Sequence, residues 1–202
     1  MKITFTKIII FGTLLLLTFN LKAQKRDYVI KINKDTIFCK IRKNAFNGGL
    51  QYRANKNDMF TDIEPNSIAQ FFLAGDTSTY VLKKFPGDTT KGYFKLLEKG
   101  RINLYEIQLG KAGLSVFSST SGSSMSFGGR GESYTWYASK GTDTLIQIKA
   151  EFKSQGSHKS RIKAFTDLIS DNPKLLNWFK ENMEDVGYSF DIIRACIKTY
   201  NK

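Results

Sequence analysis

From Tyr28 to Leu82 apolar and polar side chains alternate in short runs separated by Asn, Asp, Gly and Pro, the pattern of strands joined by tight turns. Tyr28–Ile32 and Thr36–Arg42 flank Asn33-Lys34-Asp35 and predict a β-hairpin, with Tyr28, Ile30 and Ile32 on one face and Ile37, Cys39 and Ile41 on the facing apolar set. Asn47-Gly48-Gly49 predicts a turn, Leu50–Arg53 a short strand, and Met59–Ile63 another that stops before Pro65. Ile68–Leu73 and Ser78–Leu82 around Ala74-Gly75-Asp76-Thr77 make a second hairpin. Six such runs predict an antiparallel meander, either a strongly curved sheet or a small barrel.

The stretch Gly92–Gln108 changes the pattern. Tyr93–Lys99 spaces its apolar groups by one, three and four residues and ends at Gly100, which predicts one or two helical turns closed by a left-handed glycine. Arg101–Ile107 follows as an interior strand, with Ile102 and Leu104 on one face and Tyr105 and Ile107 on the other. Ser133–Ala138 and Thr144–Ile148 form a third hairpin whose first strand is expected to pair with Ile102–Ile107. After Ser157 the period lengthens to that of helices. Ile162, Phe165, Leu168 and Ile169 line the first; Asn172-Pro173 starts a second with Leu175, Leu176, Phe179 and Met183 inward. Ser189 caps a third whose stripe is Ile192, Ile193, Cys196, Ile197 and Tyr200. The fold class is α+β: a β-rich part over 24–152, then about three C-terminal helices over 153–202 packed on the open face of the sheet, with Phe179 and Ile193 in the core.

Two segments stand outside this plan. Residues 1–23 combine Lys2 and Lys7, a 12-residue apolar stretch from Ile8 to Phe19, and Leu21-Lys22-Ala23. They read as a signal peptide cut after Ala23, since a membrane-spanning helix needs about 20 apolar residues. No transmembrane segment remains after cleavage, and the protein is expected in the periplasm or the extracellular space. Residues 110–132 are dominated by Ser and Gly and predict a flexible loop, with a lid or partner-binding loop as the functional alternative. Gly128-Gly129-Arg130-Gly131 fits neither a phosphate loop nor a dinucleotide fingerprint.

Charge narrows the partners. The formal charge is +13, and Gln24–Lys56 alone holds nine Lys or Arg against Asp27 and Asp35. Lys31, Lys40, Arg42 and Lys43 form a candidate anion-binding face for an anionic envelope component or an acidic protein; the plainer reading is the solvated side of a sheet. Nucleic acid is not expected of an exported chain.

Candidate chemistry is sparse. Cys39 and Cys196 could form a disulfide in an oxidising compartment, or pack as two small buried thiols. His158 is the single histidine and reads as a surface residue, with no Gly-x-Ser-x-Gly turn to serve. Asp58, Asp62 and Glu64, like Glu181, Glu184 and Asp185, are clustered in sequence, but acid–base work needs two carboxyls held across a cleft. The sequence therefore offers no catalytic, cofactor-binding or metal-ligating set.

KINKDTIFCKIRKN, EPNSIAQFF, FKLLEKGRINLYE and DNPKLLNWF together resemble a group of uncharacterised exported proteins of Bacteroidota, over most of the chain after residue 23. The resemblance implies export and the order β-rich half, Leu-Tyr strand, Tyr-rich hairpin and terminal helices; the Ser/Gly-rich segment departs from the shorter link expected of the group. It implies no activity. The reading that follows is an exported, soluble, non-enzymatic binding or accessory module of the cell envelope, with a carboxylate-dependent hydrolase of an envelope polymer as the alternative.

Overall fold

The structure, a computed structural model, describes residues 26–44, 49–109, 117–118, 133–151 and 157–202. The predicted signal peptide 1–23, the predicted turn at Asn47 and Gly48, and the Ser/Gly segment 110–132 other than 117–118 lie outside the described residues. Strands β1 (Tyr28–Lys31), β2 (Thr36–Phe38), β3 (Lys40–Lys43), β4 (Leu50–Arg53), β5 (Thr61–Asp62), β6 (Ile68–Leu73) and β7 (Ser78–Lys84) come first. Then follow β8 (Lys91–Glu98), β9 (Ile102–Leu109), β10 (Phe117–Ser118), β11 (Ser133–Lys140) and β12 (Ile146–Ala150). Three helices end the chain: α1 (His158–Leu168), α2 (Pro173–Val186) and α3 (Phe190–Tyr200).

The main sheet is antiparallel and open, in the order β12-β11-β9-β8-β7-β6-β1-β2, with β10 pairing β8 off that path. It is an open sheet and not a closed barrel. β3, β4 and β5 form a second, three-stranded sheet. The predicted first hairpin is present, but its second strand divides at Cys39. The cause is Asp27: its backbone carbonyl accepts Cys39 N–H, and its carboxylate accepts Ile41 N–H at 3.0 Å and Ala74 N–H at 2.8 Å. One side chain thus sends β3 away to the second sheet and anchors the β6–β7 turn. The hairpin register, Val29 opposite Ile37, also corrects the predicted facing: these two residues share a face, while Tyr28 lies on the other with Phe38 and Phe72.

Register assigns the two faces of the sheet. Val29, Phe71, Tyr80, Lys95, Glu106, Trp136 and Lys149 lie in one cross-strand row and so on one face. Two layers cover that face. The small sheet buries Leu50 and Ile63 against Val29, Ile68, Phe71 and Tyr93. The helices bury Phe165, Ile169, Phe179, Ile193 and Ile197 against Ile102, Leu104, Trp136, Ala138 and Ile148. On the reverse face Phe94, Tyr105, Ile107 and Leu145 form a third cluster, with Phe94 edge-on to Tyr137 at 5.3 Å.

That double covering corrects the prediction for Tyr93–Lys99. The segment is strand β8, between β7 and β9, with Tyr93 in one cluster and Phe94 in another. A strand buried on both faces loses its period-two signal and imitates helical spacing. A bulge at Leu97 turns that side chain toward the helices. Gly100 is not left-handed either. A Cβ there would stand 2.3 Å from Cγ of Asn201, whose amide exchanges two hydrogen bonds with the backbone of Ile102, at 2.9 and 2.8 Å. The last residues of α3 are thereby fixed to the start of β9.

The second and third helices start at their predicted caps, and the first starts at Ser157, where the period changes. Ser157 accepts Ser160 N–H, Asn172 accepts Leu175 N–H with Pro173 opening α2, and Ser189 accepts Ile192 N–H. Gly187, at φ +80°, ends α2 in a conformation that side chains disfavour. Phe179 and Ile193 are both fully buried, as expected. Among the described residues no helix is long and apolar enough to cross a membrane.

Candidate functional site

Pairing in the small sheet decides which basic residues meet. Lys40 faces Arg53, Arg42 faces Gln51, and Gln51 faces Asp62, so these side chains share the outer face of the sheet. Ile41, Tyr52 and Leu50 are on the inner face, against the core cluster shared with the main sheet. Lys43 pairs with Leu50 and so falls on the inner side's parity, and Lys31 belongs to the main sheet. Of the four predicted anion-face residues, Lys40 and Arg42 are brought together, while Lys43 and Lys31 are not.

Two residues complete this face that the sequence did not single out. The Arg42 guanidinium lies 3.6 Å from the ring centroid of Phe60, and that of Arg53 lies 4.7 Å from the same centroid. Such stacking orders both groups while leaving their edge N–H donors for a partner. Arg42 also donates to Gln51 Oε1 at 3.3 Å, and Arg53 to the Lys56 carbonyl at 2.9 Å. Among the described residues none of Lys40, Arg42 and Arg53 is in an ion pair. The nearest sheet carboxylate, Asp62, instead accepts from Gln51 Nε2 at 2.9 Å. Arg53 was legible in principle as the partner of Lys40, but only after the register of 40–43 against 50–53 is known.

Elsewhere several charges are paired and serve the fold. Asp171 accepts Lys140 Nζ and the Tyr200 hydroxyl, both at 2.7 Å, and joins β11 to the α1–α2 turn and the end of α3. The Lys140 hydrogen bond, then that of Tyr200, holds the Asp171 carboxyl below its usual range. Glu98 on β8 pairs with Arg194 of α3 at 2.5 Å. Lys149 donates to the Tyr188 carbonyl and lies over the Tyr188 and Phe190 rings; burial, then Arg161, lowers its pKa.

The carboxylates weighed for hydrolysis are engaged or dispersed. Asp58 closes a turn by accepting Asn55 N–H at 2.8 Å, Asp62 holds Gln51, and Glu64, Glu181, Glu184 and Asp185 are exposed. His158 is exposed at the start of α1, edge-on to Tyr188. Cys39 and Cys196 are free thiols in two different core clusters, not a disulfide. Burial, with Asp27 second, pushes the Cys39 thiol up to about 11, and burial pushes that of Cys196 up to about 12, so both are poor nucleophiles near neutral pH. Among the described residues no group of three His, Cys, Asp or Glu could hold a metal ion. Compared with models of protein families, with curated proteins and with solved structures, the chain matches none.

Proposed function

We propose that the protein is an exported, non-enzymatic binding or accessory module of the cell envelope, and that it holds an anionic component on the outer face of the small sheet. One observation carries the reading. Lys40, Arg42 and Arg53 share a sheet face, two of them ordered on Phe60, and among the described residues none of the three is in an ion pair. Guanidinium edges match the two-oxygen geometry of phosphate and carboxylate, and unpaired surface cations attract anions over about 10 Å at 0.1 M salt. The leader, with Lys2 and Lys7 before its apolar stretch, supports export. The engagement of Asp58 and Asp62 in local hydrogen bonds favours binding over hydrolysis.

The test uses Gln24–Lys202, which contains every described residue, on a sulfated-dextran resin eluted with salt. Arg42→Gln with Arg53→Gln is compared with Lys174→Gln with Lys180→Gln, which removes the same charge from exposed positions on α2. The first pair is expected to elute at clearly lower salt, and the second close to the unaltered protein. Equal shifts would mean that net charge alone is read, and the small sheet would lose its role.

A further inference from the structure

Resting on that reading, we infer that Asp62 is a built-in competitor for the cations of the small sheet, and that Gln51 is the positioning residue that keeps it away from them. Arg42, Gln51 and Asp62 lie opposite one another on three neighbouring strands and so share one face. The amide of Gln51 is engaged at both ends: Oε1 accepts from Arg42 Nη2 at 3.3 Å, and Nε2 donates to Asp62 Oδ1 at 2.9 Å. A side-chain amide can do this because it presents an acceptor to the cation and a donor to the carboxylate. Asp62 is the one carboxylate on β3, β4 and β5, it is exposed, and among the described residues it is in no ion pair.

Strand spacing explains why residue 51 decides the matter. Arg42 and Asp62 are two strands apart, about 10 Å between backbones, which their extended side chains span only when the side chain between them is short. With Gln51 in place each charged group ends on the amide. With a methyl group there, opposite charges attract across the gap and the guanidinium closes on the carboxylate. The formal charge of the face is then unchanged, but one of the two guanidinium groups that stack on Phe60 is taken by an internal anion. A plainer role for Gln51, occupying one donor of Arg42, predicts the opposite sign, because its removal would release that donor to the bound anion.

The experiment is salt elution of Gln24–Lys202 and its variants from the sulfated-dextran resin, with circular dichroism and urea midpoints verifying the fold of each. Gln51→Ala is expected to elute at lower salt than the unaltered protein, although it removes no charge. Asp62→Asn should raise the elution salt more in the Gln51→Ala background than in the unaltered one, and return the double variant at least to the unaltered position. Gln51→Thr, too short to span both partners and suited to a strand, should repeat the result if alanine loosens the small sheet. Elution of Gln51→Ala and Gln51→Thr at unchanged or higher salt would overturn the inference. An equal gain from Asp62→Asn in both backgrounds would also overturn it, leaving Asp62 to act through net charge alone. In either case a lower elution salt for Arg42→Gln with Arg53→Gln would keep the anion-binding reading intact, whereas elution insensitive to that pair would overturn both.

Discussion

Gly100→Ala puts a single methyl group where α3 meets the sheet. The new Cβ would lie 2.3 Å from Asn201 Cγ and 2.6 Å from both terminal atoms of that amide, far inside van der Waals contact. The turn that holds Gly100 is tied by its own N–H to Asn103 Oδ1 at 3.1 Å, so the amide of Asn201 must move. Its displacement breaks both hydrogen bonds to Ile102, a residue with no exposed surface. With about 0.5–1.5 kcal/mol for each bond and a desolvation cost for the backbone groups left behind, we expect a loss of about 2–3 kcal/mol. The backbone at Gly100 is not left-handed, so alanine by itself should be tolerated and even stabilise by about 0.4–1 kcal/mol through the unfolded chain. The two effects separate in a double-mutant cycle with Asn201→Ala, read by urea denaturation at constant m-value. Gly100→Ala should destabilise the unaltered protein, and be neutral or stabilising once Asn201 is alanine. An equal loss in both backgrounds would refute the contact as the cause.

Other expectations follow from the same contacts. Phe179→Ala removes a fully buried ring that lies 4.8 Å from Phe165 and 6.1 Å from Tyr188, and should cost about 3–5 kcal/mol in thermal or urea unfolding. Asp27→Asn leaves one oxygen for two backbone donors and should cost about 1–3 kcal/mol, with faster amide exchange at Ile41 and Ala74 as its local signature. Asp171 has a depressed pKa in the folded state, so its contribution is complete above the unfolded carboxylate pKa of about 3.9 and fades as pH falls through the folded value. The urea midpoints of the unaltered protein and Asp171→Asn should therefore differ at pH 6 and converge toward pH 2; a gap that widens with acid would contradict the assignment.

Legibility in the sequence followed how many neighbours each element needed. β6 was found with the boundaries Ile68–Leu73, and the caps Asn172 and Ser189 were placed correctly, because alternation and capping are set within a few residues of chain. β8 was misread as helix because it carries buried apolar side chains on both faces, which removes the alternation that marks a strand. The break at Cys39 was invisible because its cause is Asp27, which also holds Ala74 across 47 positions of chain.

The candidate site divides in the same way. Lys40 and Arg42 could be named from sequence, since i and i+2 on a strand share a face. Lys43 was wrongly added because adjacency in sequence was taken for adjacency in space, and Arg53 and Phe60 were omitted because the turns between β3, β4 and β5 set their register. By itself, then, the sequence determined the α+β class, the order of strands and helices, and a surplus of cations near the start of the fold, all of which depend on local propensity and composition. The tertiary structure alone decided that the sheet stays open, that two layers share one of its faces, and that two arginines meet on one ring. Those outcomes depend on long-range register, where a shift of one residue exchanges the buried and exposed faces of a strand.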